Sequence, residues 1–168
     1  MTGESALLTT AEVAVAIAGF ASIVTAFRRR QHGGWSPQDV LRFQLMLTAS
    51  LSAAFFALLP FAISFFGASD PDVWSYGSPA LALYLVLTTA LVAQRTILLT
   101  SGAMLNPYIS WSFLATGLVV IALLGLNTAG FFSDREIGPY FLGLLYLLVL
   151  AGVSFARMIP VGLDSEGQ

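Results

Sequence analysis

Five long apolar runs, each about the length of a membrane crossing, alternate with short polar stretches along the chain. A helix rises about 1.5 Å per residue and a bilayer's hydrocarbon core is about 30 Å thick, so about 20 apolar residues suffice to cross it. The pattern predicts spans over residues 10–27, 42–66, 79–99, 107–126 and 139–159. The expected fold is therefore all-α: a polytopic membrane helix bundle with five transmembrane helices in one integral membrane domain, residues 1–168. A basic loop, 28–41, joins the first two spans, and a polar tail, 161–168, is expected to be disordered.

Local helix-start signals sharpen this segmentation. Ser36-Pro37-Gln38-Asp39 reads as an N-cap serine, a proline at the first helical position and an acid near the positive helix end. Ser78-Pro79 and Asn106-Pro107 repeat the signal, and Gly138-Pro139 opens the last span. Thr9-Thr10-Ala11-Glu12 fits a capping box, which puts the start of the first helix at about Thr10. Gly67 to Gly77 reads as a loop whose Trp74 and Tyr76 suit the membrane interface, as does Trp35. Pro60 lies inside the second span and removes one backbone hydrogen bond there. Asn127 closes the fourth span.

Charge supplies a direction. All seven basic residues are arginines, and six of them (Arg28, Arg29, Arg30, Arg42, Arg95, Arg157) fall on one side of the five-span topology. Only Arg135, between two acids, falls on the other. Basic residues favour the cytoplasmic side, so the N-terminus is expected outside and the C-terminus inside. The first apolar segment has no basic residue before it, unlike a secretory signal, and is expected to be retained.

Composition then narrows the chemistry. The chain is 57% hydrophobic and 10% charged, against about 25% charged in soluble domains. It has no lysine and no cysteine, which excludes Schiff-base, thiolate and iron–sulfur chemistry by its own side chains. A single histidine, His32, cannot make a multi-histidine metal site, and it reads as a solvated loop residue. No cofactor is expected. A net charge of −2 does not point to nucleic acid.

A few positions remain as candidates. Arg28, Arg29, Arg30 and Arg42 form a basic collar suited to anionic lipid headgroups or to a protein partner. Ala14, Ala18, Ser22 and Ala26 repeat small residues at every fourth position, a face on which another helix can approach closely. Glu12, Gln44 and Arg95 are the candidate intramembrane polar sites. The capping position accounts for Glu12 without a functional role, and Arg95 is near enough to a helix end to reach the membrane surface.

Gly19-Phe20-Ala21-Ser22-Ile23-Val24, Arg28-Arg29, Gly34-Trp35-Ser36-Pro37, Asp39 and Arg42 together resemble small uncharacterised bacterial polytopic membrane proteins. The resemblance covers mainly the first 66 residues, implies a bacterial inner membrane and carries over no functional residue. The expected function is a non-enzymatic accessory, assembly or regulatory membrane component. Its partners would be the lipid bilayer, anionic headgroups, and another membrane protein or a second copy. The alternatives are an oligomeric channel or small-solute carrier, and an enzyme acting on lipid. The scattered span hydroxyls make no polar stripe for the first alternative, and the first loop offers no nucleophile–base pair for the second.

Overall fold

The computed structural model describes residues 3–32, 37–99, 107–131 and 137–156; side chains at 25, 27–32, 37–39, 41–42, 92, 95–99 and 107–110 are outside the description. Five α-helices account for nearly all of it: α1 (Glu4–His32), α2 (Pro37–Phe65), α3 (Asp70–Leu99), α4 (Pro107–Thr128) and α5 (Ile137–Ala156). Four contain a stretch long and apolar enough to cross a membrane: Glu4–Val24, Phe43–Phe65, Trp111–Thr128 and Ile137–Ala156. The chain is thus an all-α protein with the helices of an integral membrane protein.

Two helix starts differ from expectation. α1 begins at Glu4, so Thr9 and Glu12 lie inside the helix and form no capping box. The Thr10 hydroxyl instead donates to the Ala6 carbonyl at 2.7 Å, one turn back. A hydroxyl four residues after a carbonyl can bond within a helix as readily as it can cap one, so the local pattern misleads here. α3 begins at Asp70, nine residues before Pro79. Ser69 precedes it, with its hydroxyl donating to the Asp72 carboxylate at 2.6 Å and its carbonyl accepting from the amides of Asp72 and Val73. Ser69-Asp70-Pro71-Asp72 is itself a helix-start pattern, with proline in the first turn and acids at the positive end. It prevails over Ser78-Pro79, which the helix carries in its interior. The connection before α3 is correspondingly short, and Trp74 is buried in the bundle rather than placed at an interface, while Tyr76 is exposed.

The remaining boundaries differ less. α2 starts at Pro37, and α4 starts at Pro107 and ends at Thr128. Asn127 stands in the last turn of α4, buried. Gly130, at φ 74°, follows α4, with the Phe131 amide bonded to the Leu126 carbonyl at 3.0 Å and that of Gly130 to Asn127 at 3.1 Å. This left-handed closure satisfies carbonyls that the helix end leaves open. α5 starts at Ile137, two residues before Pro139. Helix α1 continues to His32, so most of the expected loop 28–41 is helical; Gly33 to Ser36 and the tail 161–168 lie outside the described residues.

Helix α5 is the hub. Among the described residues it packs against α1, α2, α3 and α4, whereas α1 meets only α2 and α5, and α4 only α3 and α5. The main core gathers Leu7 and Ala14 of α1, Ala53, Phe56 and Ala57 of α2, Trp74, Leu81 and Leu85 of α3, Leu124 of α4, and Tyr140, Leu144 and Leu147 of α5. A smaller cluster of Ala21, Met46, Ala49 and Ala151 lies towards the α1–α2 connection.

Candidate functional site

Four side-chain hydrogen bonds run from helix to helix among α2 to α5, while the buried Ser50 hydroxyl of α2 has no partner among the described residues. A proline has no N–H, so Pro60 leaves the carbonyl of Phe56, four residues earlier, without its helical partner. The Tyr140 hydroxyl of α5 donates to that carbonyl at 2.6 Å. Tyr140 is fully buried, and its ring lies against Trp74 with centroids 5.6 Å apart. Six residues further along α5, the Tyr146 hydroxyl donates to the Phe113 carbonyl of α4 at 3.1 Å. Gly117 makes that approach possible: a Cβ there would lie 2.8 Å from the Tyr146 oxygen. The Asn127 amide donates to the buried Ser78 hydroxyl at 3.0 Å, joining α4 to α3, and the Ser52 hydroxyl donates to the Tyr84 hydroxyl, joining α2 to α3. Sequence inspection finds Pro60 and hence the freed carbonyl, but it does not find Tyr140, 84 residues away.

Helix α1 is built differently. Its buried apolar positions are Leu7, Ala11, Ala14, Ala18 and Ala21, spaced alternately by four and three, with the buried Thr10 beside them. This spacing keeps one face turned towards a partner helix. Facing it, α2 buries Met46, Ala49, Ala53 and Ala57. Of the expected small-residue face, Ala14 and Ala18 lie in this seam, while Ser22 and Ala26 are exposed. A strict four-residue repeat advances by about 400°, so it turns about 40° off the seam at each step. The Ser22 hydroxyl bonds to its own helix, at the Ala18 carbonyl, at 2.8 Å.

Almost opposite the seam, Glu12, Ala16, Gly19 and Ile23 form an exposed row. Glu12 falls near the middle of the membrane-capable stretch Glu4–Val24. Its depth can be read against α5. A Cβ built on Gly3 would collide with the Ile137 side chain, so the two helices start level. Glu12 is nine residues further on, about 13 Å down the axis, which is close to halfway along α5. The groove between the two helices, about 380 Å³, runs in the same register from Ser5 and Thr9 to Val13 on α1 and from Phe141 to Leu145 and Leu148 on α5. With α1 starting at Glu4, the capping account of Glu12 no longer applies.

The other candidates are dispersed. Gln44 is exposed on α2. Arg28, Arg29 and Arg30 belong to the last turns of α1 and Arg42 to the start of α2, so their backbones share one end of the bundle; Arg95 is near the end of α3. The side chains of all five arginines are outside the described residues. Among the described residues no group of three or more histidine, aspartate or glutamate side chains could hold a metal ion. Compared with known proteins, the chain matches no family model, no curated protein and no solved structure.

Proposed function

We propose that this protein is a non-enzymatic accessory, assembly or regulatory component of a bacterial cytoplasmic membrane, and that it docks another membrane protein on the outer face of α1. The observation that carries this reading is the exposed row Glu12, Ala16 and Gly19 in the middle of a membrane-capable stretch. A charged side chain such as aspartate at mid-span costs about 2.5–3.5 kcal/mol on the insertion scale, and such residues ordinarily face protein or a water-filled path. Small residues one and two turns further on would let a partner helix approach. Four side-chain bonds tie α2 to α5 from helix to helix, and the hydroxyls of Ser64, Thr88, Thr128 and Ser154 bond back to their own helices, which favours a structural scaffold over a polar pathway.

In this reading α3 is the fifth span. It has 30 residues, about 45 Å, and packs against α2, α4 and α5. The N-terminus is outside and the C-terminus inside, with Arg28 to Arg30 and Arg42 as a cytoplasmic collar on anionic headgroups. The test is to purify the full chain from its native membrane in mild detergent, beside Ala16→Leu and Gly19→Leu variants. A second membrane protein should co-purify in fixed proportion with the wild type and be lost from both variants, while their thermal stability is unchanged. Co-purification that is indifferent to both substitutions would overturn the docking face. Solute flux through liposomes containing only this chain would favour the carrier reading.

A further inference from the structure

We propose that the outer face of α1 receives a transmembrane helix of a different protein that carries a basic side chain at mid-depth, with Glu12 as its carboxylate partner. This rests on the docking role above and specifies the partner's chemistry. Glu12 is exposed, about halfway down the bundle as measured against α5, on the side of α1 turned away from the Ala14–Ala18 seam. Hydrocarbon offers no donor to a carboxylate, so a complementary group has to come from a neighbouring helix. A basic residue in the partner's span would carry the same burden, and pairing relieves both.

A second copy of this chain is a poor source of that charge. Its arginines lie in the last turns of α1, the first turns of α2 and the end of α3, or in sequence outside α4 and α5, at 135 and 157. His32 is the last residue of α1. Of these, the positions within the described helices (Arg28, Arg29, Arg30, His32, Arg42 and Arg95) all lie near a helix end rather than at mid-depth. The local surface also suits a close helix contact. Ala16 and Gly19 follow Glu12 on the same exposed row, and a Cβ built on Gly19 would meet nothing within 4 Å. A partner backbone can therefore come near enough for the short glutamate side chain to reach a lysine or arginine on it.

The experiment places the full-length chain in phosphatidylcholine vesicles with synthetic leucine–alanine transmembrane peptides, one bearing a single central lysine and one a leucine in its place. Association is read by energy transfer. The lysine peptide should bind the wild type at least tenfold more tightly than the leucine peptide. The preference should shrink in Glu12→Gln and disappear in Glu12→Leu, with the thermal transition of Glu12→Leu unchanged or higher because the residue faces outward. Equal binding of the two peptides, or a lysine preference that survives Glu12→Leu, overturns the proposal. Self-association of the wild type that excludes both peptides and vanishes in Glu12→Leu would also overturn it, and would assign the face to a second copy. If the lysine preference is absent while Gly19→Leu still abolishes co-purification from the native membrane, the docking role stands and only the partner's charge is wrong.

Discussion

Helix α1 and the four helices beside it are held by different means. The α1–α2 seam is largely alanine: Ala11, Ala14, Ala18 and Ala21 on one side, Ala49, Ala53 and Ala57 on the other, with Leu7 and Met46 as its larger members. The α2–α5 core is aromatic and hydrogen-bonded, through Tyr140 to Phe56, Tyr146 to Phe113, Asn127 to Ser78 and Ser52 to Tyr84. In lipid no hydrophobic force separates a packed helix from a solvated one, so a seam of small residues depends on closeness of fit. A buried hydroxyl aimed at one carbonyl fixes register as well, because any slip leaves two polar groups unpaired. The contrast suggests a division of labour: the core sets the shape, and α1 is carried on it with an outward face.

The largest expected effect comes from breaking the seam. Replacing Ala14 and Ala18 together by leucine puts large side chains where both alanines are buried. Overpacking costs about 1–3 kcal/mol per site, and two sites in one interface should lower stability by about 3 kcal/mol or more. Unfolding in mixed detergent micelles measures it. An unchanged midpoint would mean that α1 is not held by this seam.

The next effect tests the core. Tyr140→Phe should cost about 1–3 kcal/mol, since the Phe56 carbonyl then loses its donor while remaining buried. In a Pro60→Ala background an amide at position 60 can reclaim that carbonyl, so the same substitution should cost less by about 1 kcal/mol. A double-mutant cycle with no coupling would show that Tyr140 acts by packing on Trp74 alone.

The same contrast explains what the sequence could reveal. Apolar length made the spans at α2, α4 and α5 readable, and proline with its preceding residue located the starts of α2 and α4 to within a residue. Where two start signals compete, as Ser69-Asp70-Pro71 and Ser78-Pro79 do, local pattern cannot choose. The longer helix prevails because its first turns bury Val73 and Trp74 in the core, a tertiary gain invisible in the local sequence. Glu12 shows the same limit. Its capping role depended on a helix start at Thr10, and the extra turns from Glu4 make it an exposed mid-span acid instead. Pro60 announced a freed carbonyl, but the tyrosine that serves it comes from the last helix, beyond the reach of any local rule.

The smallest expected effect discriminates most finely between a seam that follows four-residue spacing and one that alternates three and four. Ala21 and Ser22 are neighbours, and both are small. Ser22 continues the four-residue row from Ala14 and Ala18, whereas Ala21 continues the alternating row Leu7, Ala11, Ala14, Ala18. Seven residues turn a helix by about 700°, only 20° short of two full turns, so the alternating row keeps its face over the whole contact. Ala21 is accordingly buried with Met46, Ala49 and Ala151, while Ser22 is exposed and already bonded within α1. Ala21→Leu should therefore cost about 1–3 kcal/mol by overpacking. Ser22→Leu, an outward change that removes no interhelical bond, should stay within about 0.5 kcal/mol. If Ser22→Leu proved the more damaging of the two, the row that binds α1 would be the four-residue one.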